Sequence, residues 1–500
     1  MNRHWQIHRV TGTPLVVPSR LTKVAGWDGL AGREQALGIE AGSLFFTDPD
    51  YRIDPRLTRY LTRSSFAWLA AETRRSYATD CCVFFDFLWS RGKNWSEACE
   101  DDVWDFQHWR RWSPRNSRVI SGSKWNRELA ALNRLYRWAV ADRAILKSPV
   151  TERVRVTRGG EPVSVPAGRA REVRSSNVKW LTPRAYRLWR DVGLRGYAAD
   201  SRRDPSWHGR NDDRNAAYAD LLFSSGLRRA EGASLLTIEV PTLVEATHRY
   251  ARGQLGREVT KSRRARTFYV SADAVGAIDA YIGTTRRAAV RRAQTAGRYK
   301  AMSDRRLVVR RSGWRGTTLH WLDNDGQTVQ RSLDMIGVED RLRLYVLGKD
   351  GLEPLWLWLA EDGTPFRPHS WEAVYRAASQ RCQVVLAGRV AQPPWFTPHM
   401  ARHSFSLHML VVLQHALDRR FGLSPEERRA MRELYGDVWG LVRDLLGHAS
   451  EETTRNIYAA PVADLQIRSL LLEEPAEDTT EALAQLARLS GRVLDTELAS

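Results

Sequence analysis

Three short stretches of this 500-residue chain hold residues whose types and spacing suit chemistry at an anionic centre. In SSGLRRAEGASLL, Gly226-Leu227 ends one helix and Arg228 begins the next, with Glu231 one turn on. In TPHMARHSFSLHML, His399 and Arg402 lie three apart and so share a helical face. In LLGHASEETTRNIYAAP, Gly447-His448 opens a loop and Tyr458 follows ten residues later. A guanidinium is a planar fork that matches anionic oxygens two at a time, an imidazole exchanges protons near neutral pH, and an activated phenol is a nucleophile. Each residue alone is ordinary, since an isolated arginine at a helix start is usually a surface residue; the weight rests on the three stretches together.

The elements that must position them are legible in part. Residues 1 to about 55 mix short β-branched runs such as Leu15, Val16 and Val17 with scattered Gly and Pro, and predict a small N-terminal element. From Ser64 the pattern is amphipathic helix, with Tyr77, Cys81, Phe84, Phe85 and Leu88 recurring before an Arg91-Gly92 stop. A second helix is predicted near Glu97 to Trp112. A third carries the stripe Trp125, Leu129, Leu132, Leu135, Tyr136 and Ala139 and ends before Pro149. Residues 151–177 hold a Gly-Gly pair, two Pro and six Arg without apolar periodicity, and read as a basic linker: a solvated hinge or a strap along a phosphate backbone. Leu181-Thr182-Pro183 opens the next domain with a capping Thr and a Pro at the first helical position. Helices are predicted at about 211 to 225, 228 to 236 and 272 to 294, with a hairpin in which GREVT and RTFYVS flank KSRRA. A second hairpin is predicted from Leu319 to Leu333, turning at Asn324-Asp325-Gly326, with mostly helix thereafter.

Composition narrows the partners. Lys+Arg number 77 against 58 Asp+Glu, a formal charge of +19, which points first to nucleic acid and second to an anionic membrane. Only eight of the bases are Lys. Cys81, Cys82, Cys99 and Cys382 form no C-x-x-C pair, which argues against a zinc cage or disulfide frame and fits a reducing cytoplasm. No secretory core opens the chain and no window approaches a membrane span. The expectation is a soluble, cytoplasmic, DNA-associated protein.

GLRRAE, HMAR followed by HSF, and LLGH with TTRNIY resemble, in order, the three signature boxes of the tyrosine recombinases, the phage-integrase family. The helical segment 64–150, most clearly NRELAALNRLYRWAVADRAILKSPV, resembles that family's core-binding domain, and the likeness covers roughly residues 60–475. The implied fold is mainly α with a small β component: an all-helical core-binding domain, then a mixed α/β catalytic domain, closing as a C-shaped clamp on duplex DNA. The corresponding division is an N-terminal element at 1–58, the helical domain at 59–150, the linker at 151–177, the catalytic domain at 178–475 and a tail helix at 476–500.

The resemblance implies that Arg228 and Arg402 clamp the phosphate, that His399 and His448 are the two histidines, that Tyr458 is the nucleophile and that Glu231 orients the site. The family's lysine lies in a hairpin after the first arginine, which makes Lys261 the candidate. It is the only Lys between 180 and 299, and an ammonium can release a proton where a guanidinium cannot. His399 would accept the tyrosine proton, His448 would donate to the phosphate, and Lys261 would protonate the leaving 5′ oxygen. The reaction would pass through a 3′-phosphotyrosyl link with no cofactor, metal or ATP, and four protomers would assemble on two DNA sites, with or without accessory proteins.

The chain departs from the family pattern in two places. Arg228 and His399 are 171 residues apart, which implies an insertion between about 285 and 350; it includes RRAAVRRAQTAGRYK, with six bases in fifteen residues, suited to DNA or partner contact. HALDRRFGLSPEERRAMRELYGDVW also separates Arg402 from His448. Neither interrupts a box. The tail's apolar positions 483, 486 and 489 suit docking on a neighbouring protomer or packing on the same domain.

Competing readings have less support. His399, His403, His408 and His415 suggest a metal, but a zincin places Glu directly after its first His, and here that residue is Met400. Twenty Trp invite base stacking, yet Trp125, Trp138 and Trp189 lie on amphipathic stripes and read as core, and LWLWL at 355–359 reads as a buried strand or helix edge. A catalytically silent DNA-binding descendant has no chemical need for all six of Arg228, Lys261, His399, Arg402, His448 and Tyr458. A type IB topoisomerase shares the tyrosine chemistry but does not assemble partners, and the helical domain favours recombination.

Overall fold

The computed structural model describes residues 4–10, 36, 39–156, 161–172, 179–245, 247–313, 317–322, 326–415, 438–447, 480, 483–484 and 493–495. The fold is mainly helical with small sheets, and the chain divides into two units, 1–175 and 176–500.

In the first unit, β1 (Gln6–Arg9) pairs antiparallel with β2 (Leu44–Thr47), and Trp5 and Phe46 join the helical core. Four helices follow: α1 (Pro55–Arg63), α2 (Ala71–Trp89), α3 (Glu100–Arg111) and α4 (Gly122–Ala141). Asp54 caps α1 ahead of Pro55, accepting from the Arg56 N–H at 2.8 Å, so a helix begins well before the Ser64 expected from periodicity. α3 carries three acids in its first turn and bases in its last, complementing its dipole. Every residue of the α4 stripe from Trp125 to Ala139 is buried; each such large side chain contributes roughly 1.5–3 kcal/mol relative to exposure. The buried acids of this unit are paired: Glu128 receives Arg110 at 2.6 and 3.0 Å, and Asp80 receives Lys124 and Arg127. Within the stretch read as linker, β3 (Glu152–Val156) and β4 (Pro162–Pro166) form an antiparallel ribbon, and the backbone beyond it is fastened to α4.

The second unit opens at β5 (Trp180–Leu181), which pairs in parallel with β13 (Val493–Leu494). Thr182 caps α5 (Pro183–Trp189) as its sequence predicts, and a π turn, Arg190–Leu194, prolongs it. Then come α6 (Asp212–Ser225), α7 (Arg229–Ala233), the hairpin β6 (Tyr250–Leu255) and β7 (Arg266–Ser271), and α8 (Ala272–Tyr281), which runs through a π turn into α9 (Arg287–Thr295). The first strand of this hairpin lies earlier than GREVT. YARGQL alternates exposed and buried side chains along β6, whereas Arg257–Val259 is a 3-10 turn that Asp334 caps through the Arg257 N–H at 2.7 Å.

Residues 306–354 add a five-stranded sheet, order β10-β9-β8-β11-β12, from β8 (Arg306–Ser312), β9 (Thr318–Leu322), β10 (Thr328–Ser332), β11 (Leu344–Gly348) and β12 (Gly351–Pro354), with the short α10 (Val338–Arg341) between β10 and β11. The β9–β10 hairpin is as predicted, with Asn324 and Asp325 outside the described residues. Among the described residues after 333, β11 and β12 interrupt the expected helical run before α11 (Trp371–Val385), α12 (Pro398–His415) and α13 (Val438–Leu446). Leu355–Leu359 is buried as an irregular segment that bends at Leu355 and Leu357, bridged singly through Trp356 to Leu236 and through Leu359 to Pro365. Its carbonyls are satisfied by buried guanidiniums: Arg286 donates to Leu357 and Trp356, and Arg214 to Leu359. Among the described residues, no helix is long and apolar enough to cross a membrane.

Arg341, fully buried, donates to both oxygens of Glu239 at 2.5 and 2.9 Å and to the carbonyls of Ile336, Ser234 and Leu333, so it joins the segment after α7 to the turn that follows β10. Replacing Arg341 with Ala leaves Glu239 without its partner and is expected to cost about 3–5 kcal/mol in urea unfolding. Lys cannot form the two-pronged contact and should recover only part of it.

Candidate active site

The first box is built on a reversal that only glycine accommodates. Gly226 ends α6 at φ +64, and a Cβ there would meet Phe405 Cδ1 at 2.3 Å. The chain then sets Arg228 at the N-cap of α7 in extended backbone. Glu231, one turn on, accepts the Arg228 N–H at 2.9 Å and its Nη1 at 2.8 Å, so one carboxylate caps the helix and aims the guanidinium.

The second box lies on α12. Arg402 is buried, with Nη1 donating to Gly226 O at 2.7 Å and Nη2 to Leu446 O at 2.5 Å. These bonds occupy two of its five N–H donors and fix the plane of the fork. His399 stands in the first turn of the helix, exposed in part, and its ring packs edge-on against buried His403 at 4.3 Å. Desolvation chiefly, then the positive fields of Arg402, Arg228 and Lys261, push His399 below the ordinary histidine range, so its ring is neutral at pH 7. Arg402 and Arg228 are brought together through Gly226, whose carbonyl accepts from Arg402 two residues before Arg228. Lys261 is exposed in the turn of the β6–β7 hairpin.

Arg266, which the sequence reading passed over, connects the boxes. Its Nη2 donates to Glu231 Oε2 at 2.6 Å and its Nη1 to Leu445 O at 2.8 Å, at the end of α13. Burial tends to raise the Glu231 carboxyl pKa, but Arg266, then Arg228 and, less strongly, Arg402 outweigh it and hold the group below the usual carboxylate range. At Gly447, φ +63, an added Cβ would meet Arg266 Cδ at 2.6 Å, so the chain leaves α13 pressed against this arginine. The signal was present: Arg266 shares the parity of buried Phe268 and Val270, and an arginine on the inward face of an alternating strand needs a buried partner. His448 and Tyr458 lie outside the described residues. Among the described residues no three His, Cys, Asp or Glu side chains converge as metal ligands. The site gathers three guanidiniums about one carboxylate, a net positive charge suited to an anion.

Replacing Glu231 with Ala strands Arg266, whose side chain is 9% exposed, and should cost about 3–5 kcal/mol in chemical unfolding. Arg266→Met should recover part of that loss when combined with it, because the double variant buries no lone charge.

Residues 61–143 match the family model for the phage integrase N-terminal SAM-like domain. No curated protein matches the sequence. Among solved structures the chain is similar to XerA recombinase, at 14% identity and TM-score 0.30, over 84% of this chain and 99% of that one. It is also similar to the XerH site-specific recombinase in a post-cleavage complex with palindromic difH substrate, at 12% identity and TM-score 0.41, over 84% and 83%. A third is the Tn1549 transposon integrase with circular intermediate DNA, at 12% identity and TM-score 0.39, over 82% and 97%. The helices of residues 61–143 are thus similar to a phage integrase N-terminal SAM-like domain.

Proposed function

We propose that the chain is a site-specific DNA recombinase that cuts and rejoins strands through Tyr458. The observation that carries this reading is that Glu231 holds the Arg228 guanidinium while buried Arg402 donates to Gly226 O, two residues before Arg228, so that two arginines from separate stretches come to one place. The Tyr458 oxygen attacks phosphorus, the bond from phosphorus to the 5′ oxygen breaks, and a 3′-phosphotyrosyl link forms. Neutral His399 takes the phenolic proton, and Lys261 gives one to the departing 5′ oxygen. Arg228 and Arg402 meet the charge that gathers on the non-bridging oxygens, with His448 as a further donor. One phosphodiester replaces another, so the balance calls for neither ATP nor metal. Double-stranded DNA is the partner, and strand exchange between two sites calls for four copies of the chain.

A nicked suicide duplex from the ends of the native element should yield a denaturation-resistant protein–DNA adduct that disappears in Tyr458→Phe. Site-specific binding without any adduct would instead mark a silent DNA-binding protein. Arg228→Ala should slow adduct formation by about 10² to 10³. His399 must be neutral to accept a proton, and its pKa is depressed, so the rate should hold as pH falls to about 6.5 and drop only below that. An acid limb above that value would remove His399 from the role of base.

A further inference from the structure

The β3–β4 ribbon has little of the cover that a two-stranded sheet normally needs. All five β3 residues are exposed, and Val154, Val156 and Val163 are 71%, 64% and 43% accessible. Such a ribbon is marginal alone in water, so its base must be held. Glu152 accepts from Asn133 on α4 at 2.8 Å and from Ser164 at 2.7 Å, Trp125 Nε1 donates to Gly168 O at 2.9 Å, and Asn126 exchanges two bonds with Ala170. The ribbon is a fastened projection of the helical unit rather than a slack strand.

Its register sorts the side chains. Arg153 faces Val165 and Arg155 faces Val163 across the strands, so these four share one face, while Glu152 and Ser164 lie on the other and meet α4 at the root. Arg153 and Arg155 are exposed and form no ion pair among the described residues, and Glu152 is turned away from them. Two unneutralised forks beside two valines, on a ribbon with strands about 4.8 Å apart, match a groove about 12 Å wide in which guanine presents two acceptors and thymine a methyl group. A phosphate strap would need cations alone and gives the valines no role.

We infer that the β3–β4 ribbon enters the major groove of duplex DNA with its Arg153, Arg155, Val163 and Val165 face. The inference rests on the DNA-recombinase reading for its partner class, yet it can fail separately.

The test uses the full chain and a fluorescein-labelled mixed-sequence duplex carrying the element's end. Affinity is followed by anisotropy over a salt series, and guanine N7 methylation by dimethyl sulfate reports major-groove contact. R153A/R155A should weaken binding by about 5- to 100-fold per arginine and restore methylation at guanines that the parent protects. V154S/V156S, on the opposite face, should change neither. Both pairs are solvent-exposed, and an unchanged thermal unfolding curve confirms the fold. Parent-like affinity and methylation in R153A/R155A would overturn the ribbon while leaving the Tyr458 adduct intact. A salt slope reduced with unchanged methylation would make it a backbone contact and also overturn the groove assignment. Altered sedimentation with unchanged DNA binding would assign the face to a second copy and overturn the groove assignment as well. A parent chain that binds no duplex would sink both readings.

Discussion

One buried carboxylate ties the first box to the β6–β7 hairpin and the end of α13. Glu231 caps its own helix through the Arg228 N–H, orients the Arg228 guanidinium and neutralises Arg266. Glu231 and Arg266, both buried, would not be stable where they lie without each other. A lone buried carboxylate would protonate and a lone buried guanidinium would carry a large desolvation cost, so the cluster forms together or not at all. Because Arg266 also holds Leu445 O and Arg402 holds Leu446 O, the same constraint fixes the end of α13, where the third box begins. One carboxylate and two arginines, Arg266 and Arg402, thus join stretches of sequence far apart in the chain.

The arginine bias of the chain therefore has two meanings. Some arginines form the positive exterior that composition suggests. Others are structural and face inward: Arg286 and Arg214 satisfy the carbonyls of the LWLWL segment, and Arg341 joins two loops. The floor they support is aromatic, with Tyr218 stacked on Trp371 at 3.6 Å and Trp358 donating from Nε1 to Gly232 O beneath α7. A guanidinium suits this work because it has five donors in a plane and keeps its charge when buried. Net charge alone would have overcounted the nucleic-acid contacts.

Local patterns told most where one face decides the element. The α4 stripe, the Thr182-Pro183 start and the helices from 211 and 272 follow from periodicity and caps, and Gly226-Leu227-Arg228 turns where its glycine predicts. The start of the β6–β7 hairpin did not, because GREVT has β-branched content but its backbone is drawn into a 3-10 turn by Asp334, 77 residues away. The β11–β12 pair was hidden for a similar reason: β11 gains its place by parallel pairing with β8, a contact no local window contains. In the candidate site, types and spacing single out Arg228, His399 and Arg402, while their roles come from the resemblance alone. Arg266 was not legible, since its partners come from other segments and its only local mark is strand parity.

The pairing of β5 with β13 also bears on how the molecule is made. Thr182 donates from its hydroxyl to the Asp495 carboxylate at 2.6 Å, a contact spanning 313 residues. During synthesis the first unit can settle on its own short-range helix contacts while the ribosome is still working through the second. Trp180 and Leu181, by contrast, emerge with an open edge and wait for more than three hundred further residues before Val493 and Leu494 reach them. For that interval the nascent second unit carries an unpaired strand edge, and it closes only after the residues of all three boxes have been translated.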